Sequence, residues 1–246
     1  MDEFEGHVRK GQQSLDREKF MDAIREFSEA EKISSGIDDG ARADLYSRLS
    51  QAYYGLNQKD RTNSEKYCRM SMELHQKMGD VALYVMDLIN LSYIYSDSGE
   101  NSEADKYITE AIKVAESTGD ESLISMAKLT YAEYLSRSPK SRNSALTLFE
   151  DIRNSALKGS DWESYFESTH GIATILREEG KTDDAWKMIT EAIDRILNIS
   201  SSIKNRAERK SFKDSFSYIF DMGSDMAMEE GNVEEAIKIA QKLASE

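Results

Sequence analysis

Histidine, cysteine and paired carboxylates are the side chains of this 246-residue chain that could do chemistry, and their spacing decides whether they do. His7, His75 and His170 stand far apart, so none of them pairs with another ligand at metal-binding spacing. Cys68 is the only cysteine, which excludes an internal disulfide and a cysteine zinc site. It falls at a core position, where a buried thiol without a neighbouring His or Lys is inert. No glycine-rich phosphate loop and no nucleophile elbow occurs. Glu178-Glu179 and Asp183-Asp184 are adjacent carboxylates, but they flank a turn, where acidic groups favour a helix N-terminus without doing chemistry. An active site would need carboxylates from distant parts of the chain to converge in one groove. The expectation is a non-catalytic protein with no cofactor and no metal.

The elements that carry these residues are helices. One proline in the whole chain, with Ala, Leu, Glu, Lys, Met and Ile spread throughout, suits long helices and not a sandwich or barrel built on turns. Hydrophobic residues make up 39% of the chain, enough for a core, while 32% charged residues leave a polar surface. Met1-Asp2-Glu3-Phe4-Glu5 carries acid where a secretion signal carries base, and no apolar run approaches the roughly 18 residues of a membrane span. Cytoplasmic location is expected, with no membrane partner. A formal charge of -14 repels a phosphate backbone, so nucleic acid is not an expected partner. Lys204, Arg206, Arg209, Lys210 and Lys213 form a local basic exception, read as the solvated face of a long helix in preference to an anion-binding surface.

Turn signals recur. Gly79-Asp80, Gly119-Asp120 and Gly159-Ser160-Asp161 lie forty residues apart, with glycine closing one helix and the polar residue capping the next. Gly40, after Ile37-Asp38-Asp39, is a looser instance. A second set of breaks lies between them, at Asn63-Ser64, Ser98-Gly99, Pro139 to Ser144, Glu179-Gly180 and Glu230-Gly231, so each unit is two helices and a turn. After each break one helical stripe returns: Ala23-Phe27-Ala30, Ser64-Cys68-Ser71, Ala104-Ile108-Ala111, Ala145-Phe149-Ile152, Ala185-Ile189-Ala192 and Ala236-Ala240-Leu243. Successive first members are separated by 41, 40, 41, 40 and 51 residues. The boundaries read as 4–36, 40–78, 80–118, 120–158, 160–199 and 203–246, within one domain from 1 to 246.

This pattern resembles the tetratricopeptide repeat family, in a longer variant of about 40 residues per repeat. The first helices fit it too, with Gly11 and Phe20 before Ala23, Leu91-Ser92 with Tyr95 and Gly99, and Ala173 with Leu176 and Gly180. The closing proline of the family is replaced by Gly-Asp. The resemblance implies an all-α, right-handed superhelical solenoid of about six hairpins, with the first helices lining a concave groove. It implies a protein-binding adaptor and carries the groove positions onto Arg48, Gln51, Tyr54, Ile89, Asn90, Tyr93, Leu129, Glu133, His170, Thr174 and Arg177. Tyr and Arg suit a peptide or protein segment as partner. The other reading of Tyr54 and Tyr93 is packing between adjacent first helices. The carboxylate clamp of some family members is missing, since Val8, Gln12, Ser47 and Gln51 offer no cation at the corresponding places.

The last interval is stretched. Asn205 through Met228 reads as one extended helix, basic and then aromatic, similar to the repeat that precedes the caspase-like domain in tetratricopeptide–CHAT proteins. Too few residues follow for a protease domain. Ile237, Ile239, Ala240 and Leu243 then form a final stripe with no polar capping helix, expected to pack back on the long helix or to form a homodimer. Two alternatives to the adaptor therefore stand: a self-associating scaffold, and a regulatory sensor of a peptide or small ligand.

Overall fold

The computed structural model describes residues 2–58 and 61–244. Met1 and Glu246, to which the sequence reading extends its domain, lie outside the described residues, as do Lys59, Asp60 and Ser245. Thirteen helices and no strand occur among the described residues. They are α1 (Asp2–Leu15), α2 (Phe20–Lys32), α3 (Asp39–Leu56), α4 (Arg61–Met78), α5 (Val81–Asp97), α6 (Asn101–Thr118), α7 (Glu121–Ser136), α8 (Arg142–Gly159), α9 (Trp162–Glu178), α10 (Thr182–Ser202), α11 (Arg206–Ser215), α12 (Ser217–Glu229) and α13 (Val233–Ala244). The all-α class expected from the sequence is the observed one.

The chain forms two compact units, Met1–Thr130 and Tyr131–Glu246, with α7 spanning the division. In the first, α1 to α6 pack each on the next in chain order. In the second, α8 packs on α9, α9 on α10, α10 on α11 and α12, and α12 on α13. The second helix of each of the first five hairpins buries the small-large-small stripe read from the sequence. Ala23, Phe27, Ala30, Ala104, Ile108, Ala111, Ala145 and Ile189 are wholly shielded from water. Each large member contributes roughly 1.5–3 kcal/mol by burial. The small members let two helix backbones approach.

Caps set the helix boundaries. Asp80, Asp120 and Asp161 accept backbone N–H bonds from Leu83, from Ser122 and Leu123, and from Ser164. Gly79 and Gly119 take the left-handed conformation before them, at φ 73° and 70°. The third turn departs from the sequence reading. There Ser160, not Gly159, takes φ 58°, because α8 runs one residue further and closes on Ser160. Gly40 closes nothing and lies in the first turn of α3.

The C-terminal region corrects the sequence reading twice. The expected long helix over 205–228 breaks at Phe216, where φ −114° and ψ 25° end α11 and begin α12. The break turns the Phe216 ring inward, 4.7 Å from Phe166 and 5.1 Å from Phe212 by centroids. In α13 the buried residues are Ala236 and Ile239, while Ala240 is exposed and Ile237 is half exposed, so the final stripe is shifted by one position. Because α13 packs mainly on α12, one narrow face is all that it buries. Lys213 is no part of a solvated basic face. It is buried, and its Nζ donates to the carbonyls of Lys242 (3.2 Å) and Leu243 (2.9 Å), closing the open end of α13.

A Cβ on Gly171 would lie 2.4 Å from the ring of Phe149, itself 1% exposed and unable to move aside. Gly171→Ala is therefore expected to cost about 1–3 kcal/mol, as overpacking does, and to lower the urea midpoint. Gly6, inside α1 with nothing within 4 Å of its added Cβ, is the control. There Ala is neutral or stabilising by up to about 1 kcal/mol.

Candidate functional site

Two stripes of side chains face each other across a cleft of about 350 Å³ in the first unit. Ser47, Ser50, Gln51 and Tyr54 come from α3, at positions i, i+3, i+4 and i+7, and so share one face of that helix. Met86, Asn90, Tyr93 and Ile94 come from α5 at the equivalent spacing i, i+4, i+7 and i+8. The walls mix aromatic rings, a thioether and amides. Met86 is 43% exposed, and Gln51 and Asn90 are exposed with no hydrogen-bond partner among the described residues. Tyr54 and Tyr93 are partly buried, and the Tyr54 hydroxyl donates to the Asp97 carboxylate on α5, tying the two walls together.

Four of the eleven expected groove residues, Gln51, Tyr54, Asn90 and Tyr93, line this cleft. Arg48 faces the next cleft along α3, with Phe4, Val8 and Gln12 of α1, and donates to the Gln12 side-chain oxygen. Ile89 and Leu129 are buried, 7% and 5% exposed, and serve packing. The remaining positions belong to the second unit. Glu133 is exposed on α7. His170, Thr174 and Arg177 follow one face of α9: the His170 ring meets Tyr218 edge-on at 5.2 Å, Thr174 Oγ1 donates to the His170 carbonyl, and Arg177 donates to Glu229 at 2.6 Å. Burial, with the nearby Arg177 charge, holds His170 below its ordinary pKa. On that same face Glu167 is pushed up to about 7, by desolvation and then by repulsion from Glu163, Glu133 and Asp161. The sequence reading places Ser47 only at a clamp position and misses Ser50, Met86 and Ile94; Ser47 and Met86 stand four before Gln51 and Asn90, so extending each stripe by one turn reaches them.

A catalytic-looking set lies beneath α5. His75 Nδ1 and Asp87 Oδ2 are 2.6 Å apart, Ser71 Oγ is 3.4 Å from the same nitrogen, and the Cys68 thiol donates to the Asp87 carbonyl. All three residue types of a serine-hydrolase triad therefore meet, which the separation of the histidines in sequence had hidden. All are closed to solvent, at 0% for Ser71, 3% for His75 and 2% for Asp87. No substrate reaches them. His75 Nε2 is buried without a partner, which places the ring proton on Nδ1, donating to Asp87. Burial first, and the Asp87 charge second, push the Cys68 thiol well above its ordinary range, so it is no nucleophile. Among the described residues no group of His, Cys, Asp and Glu could hold a metal ion.

Paired helices with small-residue stripes, stacked in chain order and carrying an open cleft between successive first helices, make up a fold of tetratricopeptide-like hairpins. Comparison with known proteins agrees. The sequence profile of the family described as anaphase-promoting complex subunit 5 matches residues 50–138. Comparison with curated protein sequences gives no significant match. Among solved structures, aspartyl phosphate phosphatase F from Bacillus subtilis superposes with a TM-score of 0.68 at 16% identity, covering 98% of this chain and 69% of that one. A Rap protein complexed with competence and sporulation factor gives 0.63 at 15% identity, covering 98% and 74%. The apo form of RapI gives 0.58 at 16% identity, covering 99% and 100%. At these identities the shared property is the fold.

Burial pushes the Asp87 carboxyl up to about 6, against the pull of the His75 hydrogen bond and charge and of Ser71. In the unfolded chain the group titrates near 3.9. Its contribution to stability is therefore complete below about pH 4 and is lost as pH rises through about 6. Asp87→Asn, which keeps an acceptor for His75, is expected to flatten the dependence of Tm on pH across that window in circular-dichroism melts. An unchanged slope would contradict the assignment.

Proposed function

We propose that this chain is a non-catalytic protein-interaction module that holds an extended peptide or protein segment in the cleft between α3 and α5. The observation that carries the reading is the pair of unpartnered amides, Gln51 and Asn90, facing one another between tyrosines and the exposed Met86. A side-chain amide offers one acceptor and two donors, the complement of a peptide group, and the flanking rings supply apolar contact without much loss of conformational freedom. The fold supports it as well: one similar structure is of a Rap protein complexed with competence and sporulation factor. Another belongs to an aspartyl phosphate phosphatase. A non-catalytic role for the present chain draws support from the closure of the Ser71, His75 and Asp87 set and from the protonated Cys68 thiol.

Nucleic acid is excluded from this reading by the charge of -14. Among the described residues no helix is long and apolar enough to cross a membrane, and the reading places the protein in the cytoplasm. Self-association through α13 has one observation in its favour. Met228, Val233 and Ile237 are each about half exposed. A dimer that light scattering shows to be broken by Ile237→Glu would establish that second reading.

Selection of peptides from a random display library against the full chain tests the cleft. Enriched peptides are expected to lose about tenfold in affinity on Gln51→Ala with Asn90→Ala, the effect of two hydrogen bonds at roughly 0.5–1.5 kcal/mol each. Both side chains are exposed, so thermal stability should hold. No enrichment, equal binding by the double variant, or hydrolysis of an aspartyl phosphate by the chain would remove the reading.

A further inference from the structure

The α3–α5 cleft adjoins a second one, of about 420 Å³, between α3 and α1, and the two meet at neighbouring residues, Ser47 in the first and Arg48 in the second. Phe4, Val8 and Ala41 form its apolar lining, and Gln12 and Gln13 add amides. Arg9 and Arg48 also line it, with Glu5 and Asp44 four residues before them on the same helices. Neither arginine pairs with a carboxylate among the described residues. Arg9, Glu5 and Asp44 are exposed, where water and salt screen them. Arg48 is half-buried and is the charge that the cleft retains.

Among the half-buried arginines of this chain Arg48 is the exception. Arg42, Arg61, Arg69, Arg142 and Arg177 are each matched by a carboxylate. Arg209 holds the Ile203 carbonyl, and Arg153 and Arg195 lie over the Tyr165 ring. Arg48 has neither a carboxylate nor a ring. Its Nη1 donates to the Gln12 side-chain oxygen, its Nε is closed to solvent without a partner, and its Nη2 reaches solvent without one among the described residues. Five N–H donors and a full charge therefore meet one neutral acceptor, in a chain whose acids outnumber its bases by 46 to 32. Withdrawing a charge from water is costly unless a counter-charge arrives. The group is also oriented: Gln12 Nε2 donates to the Asp16 carboxylate at 2.6 Å, which sets the amide oxygen toward Arg48.

We propose that the α1–α3 cleft takes an acidic side chain of the partner segment, its carboxylate accepting from Arg48 Nη2 and its methylenes lying on Phe4 and Val8. The inference rests on the reading of the α3–α5 cleft, since one segment runs from the first cleft into the second, and it adds the charge which that segment must carry. A side chain suits the site better than a chain terminus. A terminal carboxylate would bring its own peptide group against the apolar lining, which offers that group no hydrogen bond.

The test titrates the ¹⁵N-labelled full chain, at constant ionic strength, with Nα-acetyl-glutamate methylamide, with its neutral isostere Nα-acetyl-glutamine methylamide, and with Nα-acetyl-leucine, which carries a terminal carboxylate. Each is taken to about 20 mM, above the millimolar dissociation constant that a contact this small would give. The Arg48 Nε–H signal, assigned by its loss in Arg48→Lys, is expected to shift saturably with the glutamate compound and not with the glutamine one. Followed on the Gln13 backbone amide, affinity should fall about tenfold in Arg48→Gln and about threefold in Arg48→Lys, which keeps the charge and loses the fork. Arg48→Lys keeps the test valid if Arg48→Gln is unstable. Equal shifts with the glutamine compound, no shift with either, tighter binding of acetyl-leucine, or affinity unchanged in both Arg48 variants would overturn the proposal. Enriched peptides whose binding falls in Gln51→Ala with Asn90→Ala, and not in Arg48→Gln, would overturn it too and leave the α3–α5 reading intact. Saturable glutamate binding with no peptide enriched would support the carboxylate site alone and remove that reading.

Discussion

Close approach of helix backbones is the constraint on which this structure depends. Phe27 lies across Gly11, and Phe149 across Gly171, so tightly that a methyl in place of the glycine hydrogen would overlap the ring. On the second helices Ala or Ser opens each buried stripe, as at Ala104, Ala185 and Ser64, all shielded from water. Ridges this low bring the axes together, and the large member of each stripe then fills the space between two helices of one hairpin and one of the next. A single hairpin of this kind buries too little to stand alone, so order in one depends on its neighbours.

The same packing explains how the chain tolerates polar groups inside. Short side chains bond to backbone within reach: Ser50 to the Ser64 carbonyl, Ser92 to that of Ile89, and Ser168 to those of Ser164 and Tyr165. Longer ones link hairpins. Arg69 on α4 joins Glu65, Tyr95 and Tyr107, spanning three successive helices, and Tyr67 reaches from α4 back to Glu31 on α2. The His75 and Asp87 pair is of this structural kind. It satisfies two polar side chains at the seam of α4 and α5.

Surplus negative charge is distributed with the same economy. Many surface carboxylates stand three or four residues from a lysine or arginine on the same helix, as Glu65 with Arg61 and Arg69, or Asp214 with Lys210. Glu163 and Glu167 on α9, and Glu230 at the end of α12, have no lysine or arginine at that spacing. The one concentrated basic segment is largely spent on the fold. Lys213 closes α13, Arg209 holds the Ile203 carbonyl, and Lys210 pairs with Asp214.

The sequence by itself determined the helical class, the hairpin period and the buried stripe of the second helices. These follow from backbone propensity, from turn residues and from a periodicity that each repeat states again, so five copies average out local ambiguity. The resemblance to the repeat family also carried Gln51, Tyr54, Asn90 and Tyr93 onto the faces that meet across a cleft, since α3 and α5 take equivalent places in successive repeats. Tertiary structure alone decided the rest. Whether Ile89 turns inward while Asn90 faces out depends on rotation of α5 against α4 and α6, which no stretch of α5 specifies. The break at Phe216 depends on the ring finding Phe166, fifty residues earlier, and the shifted face of α13 on its packing against α12. His75 and Asp87 meet through a pairing between helices, and a pairing is a property of two surfaces that neither segment carries alone.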